Sequence, residues 1–322
     1  MKETARKLLV TFSALTDRHR DLIRERAGQY GFRVIFCEDP EIALQEGTDA
    51  EIMFSQFVKP ASEGKKVRWL CTPSAGVDFF VSALTGRDII LTNSSGAYGV
   101  TIAEHIVMVS LELMRRKPDY DEIVKQKTWI RDLPIRSFFG SRVVLLGTGD
   151  IGREAASRIR AFHPKSITGI NRRGNNPRGL FDRILTLSDA EAVLPETDIL
   201  ISSLPSTPAT KEFLTEEKLR LLPETAFFVN VGRGDLVDQA ALERMLREGS
   251  LGGAALDVLE KEPPEADSSL WNCPRLILTP HIAGNYTLPY TVERIVSMFL
   301  EDFENYCEGR PLKHRVSLSA GY

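Results

Sequence analysis

Hydrophobic positions along the chain fall into two series of short apolar runs separated by amphipathic stretches, and the series change over near Gly99. In the first, residues 7–12 read as a strand, Asp17–Gln29 as a helix behind the cap Thr16, and 32–37 as a second strand. Residues 51–54, 68–71 and 89–92 are further apolar runs, too short for helices and bounded by turn residues. The run 102–116 is apolar on most sides and predicts a helix buried between two bodies. Residues 119–134 are polar, with an isolated Trp129, and lead into the second series.

In the second series, 143–146 reads as a buried strand, Ile151, Ala155, Ile159 and Phe162 recur at helical spacing, and Ser166–Ile170 forms a second strand. Residues 199–204, 227–231, 254–258 and 276–279 are strands, and 216–222 is a short helix. Gln239–Glu248 is a helix capped by Asp238 and ended by Gly249. A last helix covers 288–308. Strands that alternate with helices make parallel sheets with helical covers. The expected fold is therefore α/β, with two doubly wound parallel-sheet domains, one of 99–286 and the other of 1–98 with 287–322. A cleft between the two is the expected place for chemistry.

Composition narrows the class. The chain has 322 residues, 43% hydrophobic and 26% charged, enough for two soluble domains. A net charge of -3 gives no reason to expect nucleic acid or an anionic membrane as partner. The first residues, MKETARKLLVTF, lack the apolar core of a signal peptide, and no run approaches the ~20 residues of a membrane span. Cys37, Cys71, Cys273 and Cys307 form no C-x-x-C pair, and the five histidines are scattered, so neither a metal site nor a disulfide framework is expected. A reducing cytoplasm is the expected location.

The sharpest local signal is Gly147-Thr148-Gly149-Asp150-Ile151-Gly152, a G-x-G-x-x-G turn between a strand and a helix with a further strand beyond. The first glycine permits the tight turn, the second lets backbone approach a pyrophosphate, and the third lets helix pack on strand. N–H groups at the helix N-terminus then receive the phosphates. No G-x-x-x-x-G-K-[ST] loop competes with it.

Three further turns follow strands in the same half. Asn230-Val231-Gly232-Arg233-Gly234 sets an arginine between glycines, Asp257 and Glu262 follow the strand at 254–258, and His281 follows the strand at 276–279. Taken singly, each has an ordinary reading as a solvated arginine, a polar loop acid and a structural histidine. Together, beside a nicotinamide-type fold, Arg233, Glu262 and His281 are a complete set for hydride transfer to a 2-keto acid. Hydride addition leaves charge on oxygen, and imidazolium is the usual proton donor near neutrality. A carboxylate on that imidazole favours its charged form and fixes its orientation. A guanidinium takes the keto acid's carboxylate in a fork and polarises the carbonyl beside it. Backbone N–H groups of the turn at 74–77 can hold the same carboxylate from the other domain.

With these pieces in place, the chain resembles the D-isomer-specific 2-hydroxyacid dehydrogenases over nearly its whole length. The matching segments are SAGVD (74–78), the AEH-containing helix from Ala103, GTGDIG (147–152), LPSTPAT (204–210), NVGRGDLVD (230–238), ALDVLEKEP (255–263) and TPHIAG (279–284). The resemblance implies a Rossmann dinucleotide-binding domain and a flavodoxin-like, discontinuous substrate domain. It implies that Arg233 binds and polarises substrate, Glu262 supports the histidine, and His281 is the acid/base. Ala75 and Gly76 look like the substrate-carboxylate turn. Gly147, Gly149, Asp150, Ile151, Gly152, Leu204, Pro205, Thr210, Val231, Gly232, Asp257 and Gly284 look like cofactor contacts, Asp257 near the carboxamide of nicotinamide. A homodimer acting on a small 2-keto acid or 2-hydroxy acid, of the glyoxylate or hydroxypyruvate type, is implied as well.

One departure bears on the cofactor. NAD-using members end the second strand of the unit with an acid, whereas this chain has Asn171-Arg172-Arg173. An acid there repels a 2′-phosphate and an arginine accepts it, so NADP(H) is expected to be preferred over a usable NAD(H). The alternative is a basic surface turn. Phe54, Phe57, Tyr98 and Tyr286 either line the substrate site or belong to the core. A second functional reading also stands: corepressor-like relatives use this fold as a dinucleotide-sensing module with little turnover.

Overall fold

The computed structural model describes residues 6–175 and 179–318. The chain folds into two units, one of Met1–Tyr98 with Tyr286–Tyr322 and the other of Gly99–Asn285.

The first unit runs β1 (Arg6–Val10), α1 (Asp17–Gln29), β2 (Phe32–Phe36), α2 (Pro40–Gly47), β3 (Ile52–Phe54), α3 (Lys59–Glu63), β4 (Trp69–Cys71), α4 (Asp78–Leu84) and β5 (Ile90–Thr92). All five strands are parallel, in the order β2-β1-β3-β4-β5, the flavodoxin-like arrangement. Thr16 caps α1: its Oγ1 accepts from the His19 N–H, and the His19 ring accepts from the Thr16 N–H at 3.2 Å. Three helices that the hydrophobic pattern does not announce, α2, α3 and α4, fill the crossovers.

The second unit runs α5 (Gly99–Met114), α6 (Lys117–Lys125), β6 (Arg142–Leu146), α7 (Asp150–Arg160), β7 (Ser166–Ile170), β8 (Arg183–Leu185), β9 (Ile199–Ser202), α8 (Glu216–Leu219), β10 (Phe227–Asn230), α9 (Gln239–Glu248), β11 (Gly253–Leu256) and β12 (Leu276–Leu278). Its sheet is also all parallel, ordered β12-β11-β10-β9-β6-β7-β8. Chain order reverses between β6 and β9, which makes the carboxyl ends of those strands the switch point where ligands bind in this class of sheet. Strands β6, β9, β10 and β11 are buried almost throughout, as a sheet covered on both faces requires. Helix α5 begins three residues before the expected start because Gly99 lets its first turn press on α7: a Cβ there would lie 2.5 Å from Asp150 Oδ2. Helix α7 ends at Arg160, so Phe162 lies beyond it and packs on Phe138 instead. The polar stretch after α5 contains α6, which buries no residue.

After the second unit the chain returns to the first with α10 (Pro289–Cys307). Phe299 stacks face to face on Phe54 with ring centroids 4.3 Å apart, and Phe303 meets Phe32 edge-on at 5.3 Å. Among the described residues no helix is long and apolar enough to cross a membrane.

Candidate active site

The glycine turn is built as a dinucleotide cradle. Gly147 adopts φ +101, a conformation that glycine alone enters freely. A Cβ on Gly152 would sit 2.1 Å from Gly147 O, so the third glycine is what lets α7 close on the turn. Gly149, by contrast, has open space where its side chain would be. Open space at the N-terminus of an eleven-residue helix is the geometry that a pyrophosphate needs, and the residues fit that group. Asp150 and Ile151 form the first turn of α7; Asp150 Oδ2 is buried without a hydrogen-bond partner among the described residues.

Beside this turn stands the basic one. Asn171 organises it as an Asx turn, its Oδ1 accepting the N–H groups of Arg173 at 2.9 Å and Gly174 at 2.7 Å. Its Nδ2 donates to Thr148 Oγ1 at 2.8 Å and to Asn175 O at 2.9 Å, tying the basic turn to the glycine turn. Arg172 and Arg173 are both exposed.

The Arg233 turn follows β10 and is wedged between two backbones. A Cβ on Gly232 would meet Leu204 O at 2.5 Å, and one on Gly234 would meet Leu259 C at 1.9 Å. Both glycines flanking the arginine are therefore demanded by packing. Buried Asn230 braces the turn, accepting from Gly232 N–H at 3.1 Å and donating to Arg233 O at 2.8 Å. The guanidinium donates from Nη1 to Gly232 O at 2.8 Å. We expect Gly234→Ala to push the turn off Leu259 and cost about 1–3 kcal/mol of stability, read by thermal or denaturant unfolding. An unchanged midpoint would mean that the two backbones separate freely.

His281 and Glu262 meet. His281 Nδ1 lies 2.7 Å from Glu262 Oε2, and Glu262 Oε1 accepts from Leu259 N–H at 2.9 Å. With Nδ1 occupied by a carboxylate that only accepts, the ring proton sits on Nδ1 and Nε2 is left for substrate. His281 takes the left-handed conformation, φ 54, which histidine enters more readily than most residues. Asp257, 4% exposed, holds this segment in place. Its Oδ1 accepts from Thr279 Oγ1 at 2.6 Å and Ile282 N–H at 2.9 Å, and its Oδ2 from Ala283 N–H at 3.0 Å. The carboxylate expected beside a cofactor carboxamide is thus first of all a clamp on the His281 loop.

The remaining candidates divide. Val231 and Gly232 lie in the Arg233 turn, and Gly284 ends the His281 loop. Leu204 is buried against Gly232 while Pro205 is exposed. Thr210 is committed within its own loop: its Oγ1 donates to Pro205 O at 2.6 Å and accepts from Thr207 N–H at 2.9 Å. Ala75 and Gly76 stand after β4 in the first unit, where Ala75 O accepts from Asn93 Nδ2 at 2.7 Å. No acceptor among the described residues takes the Ala75 or Gly76 N–H. Of the aromatic candidates, Phe54 is core, fully buried between Phe12 and Phe299. Phe57 packs on the first unit's apolar core. Tyr98 is buried, donates to Pro73 O at 2.5 Å, and has its phenol pKa pushed up by burial. Tyr286 lies edge-on to Phe12 at 4.9 Å. Asn230, Thr148 and Thr279 stand inside the matched segments but have no role legible there, because each matters through hydrogen-bond partners that only the fold reveals.

Fold and site together define a nicotinamide-dinucleotide oxidoreductase, with the dinucleotide turn, an arginine turn and a histidine–carboxylate pair at carboxyl ends of one sheet's strands. Residues 107–283 match the NAD binding domain of D-isomer specific 2-hydroxyacid dehydrogenases. A glyoxylate reductase of Thermofilum pendens is 32% identical over 250 residues, 75% of this chain and 70% of that one. A glycerate dehydrogenase of Methylorubrum extorquens is 29% identical over 251 residues, 71% of this chain and 76% of that one. The crystal structure of a D-isomer specific 2-hydroxyacid dehydrogenase family protein from Aeromonas salmonicida superposes with a TM-score of 0.87 at 30% identity, covering 98% of this chain and all of the other. The chain belongs to the D-isomer specific 2-hydroxyacid dehydrogenase family. Its activity is that of an NAD(P)-dependent 2-hydroxyacid dehydrogenase.

Proposed function

We propose that this chain reduces small 2-keto acids of the glyoxylate and hydroxypyruvate type to D-2-hydroxy acids, with NADPH preferred to NADH, as a homodimer in the cytoplasm. The observation that carries the reading is the 2.7 Å contact between His281 Nδ1 and Glu262 Oε2, which leaves Nε2 as proton donor. The dinucleotide, when bound, supplies the hydride. Gly147 to Gly152 would hold its pyrophosphate, and Leu204, Pro205, Thr210, Val231 and Gly232 would be further contacts, as the resemblance implies. Arg233 takes the substrate carboxylate and polarises the carbonyl, and His281 Nε2 delivers the proton as charge develops on oxygen. Glu262 accepts from Nδ1–H and orients the ring throughout. Ala75 and Gly76 keep the part in substrate binding that the resemblance implies. Substrate class is supported by the names of the relatives, a glyoxylate reductase and a glycerate dehydrogenase. A homodimer is supported by Val124, Trp129, Ile130, Ile135 and Phe139, large apolar side chains exposed within one stretch of the second unit. Sedimentation of the purified protein checks it.

Loss of reduced-nicotinamide absorbance with glyoxylate, hydroxypyruvate, pyruvate and a bulky aromatic keto acid tests the reaction. Turnover confined to the small acids supports it; tight dinucleotide binding without turnover on any acid would return the weight to a sensing module. Cofactor preference has its own prediction. Arg172→Ala with Arg173→Ala removes charge-assisted contacts to a 2′-phosphate, each of the class that contributes about 1.5–3 kcal/mol. Because both arginines are exposed and screened by solvent, the pair is expected to count for about one such contact: kcat/KM for NADPH should fall by roughly ten- to a hundredfold, and the value for NADH should stay within about twofold. Equal losses for both cofactors would make the turn a structural one.

A further inference from the structure

His105 projects from α5 toward the same clamp. Its Nε2 lies 3.3 Å from Thr279 Oγ1, and Thr279 Oγ1 lies 2.6 Å from Asp257 Oδ1. A hydroxyl carries one proton and a carboxylate only accepts, so Thr279 gives its proton to Asp257 and offers a lone pair to His105. The ring of His105 therefore bears its proton on Nε2. His105 donates to Thr279 and Thr279 to Asp257, whose carboxylate also accepts from the N–H groups of Ile282 and Ala283, while Asp257 O accepts from His281 N–H at 2.9 Å. All of these residues belong to the second unit.

We propose that His105 and Thr279 are positioning residues for proton transfer: they lock the Asp257 carboxylate against the His281 loop and so hold His281 in its left-handed conformation. A carboxylate on a free rotor can satisfy two adjacent N–H groups from several angles. One held on a third side by a threonine hydroxyl has a single orientation left. That orientation fixes the backbone at 281–283 and hence the direction in which His281 presents Nε2. Burial lowers the His105 pKa against the pull of Asp257 and Glu112, so the ring serves as a donor in its neutral form. Neither residue touches the reacting atoms in this role, and neither is among the catalytic or cofactor-binding residues named above. The inference rests on reading His281 as the acid/base.

Four variants, Thr279→Val, Thr279→Ser, His105→Phe and His105→Gln, separate positioning from bulk structure. They are assayed with NADPH and glyoxylate beside wild type and His281→Ala. We expect Thr279→Val and His105→Phe to lower kcat on the order of ten- to a hundredfold, the effect of a small misplacement of a reacting group, with KM for glyoxylate within about threefold. Serine and glutamine, which restore the hydroxyl and an N–H donor, should recover most of the loss. Hydrogen–deuterium exchange supplies a readout that needs no turnover: the N–H groups of Ile282 and Ala283 should exchange faster in Thr279→Val and at the wild-type rate in Thr279→Ser. Wild-type kcat and exchange in Thr279→Val, with activity lost in His281→Ala, would overturn the positioning role and leave the acid/base reading standing. Full turnover in His281→Ala would overturn that reading and this one with it. Equal losses of kcat and thermal midpoint in the valine and serine variants would reduce Thr279 to packing.

Discussion

Replacing His281 with alanine is expected to lower kcat for 2-keto acid reduction by about 10²- to 10⁴-fold, the range over which a positioned acid–base group acts. The expectation follows from the geometry of one ring. Nδ1 is held 2.7 Å from Glu262, so the imidazole cannot turn without breaking a charge-assisted bond, and Nε2 faces a single direction. Two controls make the result readable. His281→Asn removes the proton donor, yet asparagine accepts the left-handed backbone that this position adopts, φ 54, so it should match alanine in rate and exceed it in stability. Glu262→Gln keeps an acceptor for Nδ1–H but replaces a charge-assisted bond with a neutral one that holds the ring less firmly, and should cost less than either, about tenfold. The measurements are kcat on glyoxylate and thermal unfolding for each variant. An enzyme without His281 that keeps more than about a tenth of wild-type kcat would show that the proton comes from elsewhere.

The second large effect belongs to Arg233. Arg233→Lys keeps the charge and replaces a planar fork with a point, so any loss reports on geometry rather than on field. The fork is already aimed: Nη1 donates to Gly232 O, Asn230 holds the carbonyl of Arg233, and packing against Leu204 and Leu259 admits glycine alone on either side. A lysine ammonium in that turn can reach a carboxylate but cannot grip it at two points while polarising the neighbouring carbonyl. We expect kcat/KM for glyoxylate to fall about 10²- to 10³-fold, the magnitude seen when one donor to a developing oxyanion is removed. NADPH affinity, measured by fluorescence, should move little. A lysine variant within about threefold of wild type would assign the carboxylate to other groups.

Where the fold was legible, the cause is visible in single residues. Helices α1 and α9 begin and end where Thr16, Asp238 and Gly249 place them, because each cap makes a local bond or conformation that needs no distant partner: Asp238 accepts from Ala241 N–H at 2.9 Å, and Gly249 adopts φ 78. Helix α6 is passed over in the sequence although Tyr120, Ile123 and Val124 keep helical spacing, because it buries no residue and its three apolar side chains stand among charged ones. In α2 the cap Asp39 and the following Pro40 are plain signals, but the buried residues are Ala43 and Gly47, too small to write a hydrophobic stripe. Strand β8 is three residues at a sheet edge. The candidate site divides the same way. Arg233, Glu262 and His281 can be read because charged groups just past buried strands are conspicuous. Thr148, Asn230 and Thr279 cannot, since their partners lie elsewhere in the chain or on the backbone, and only folding shows a threonine to be a link instead of a spacer.

The first unit's core is closed by a helix that the ribosome makes only after the whole second unit. Strands β1 to β5 emerge first, the whole of 99–285 follows, and only then does α10 bring Phe299 onto Phe54 and Trp69 and Phe303 onto Phe32. Until that moment an aromatic face of the nascent sheet stays wet, while the second unit already has every strand it needs. The order of synthesis and the order of folding therefore part company: the second unit is able to close first, and the first must wait for it. A fragment of residues 1–98 should show no cooperative thermal transition alone and should gain one when a peptide of residues 286–322 is added. A sharp transition without the peptide would mean that the early sheet stands unaided.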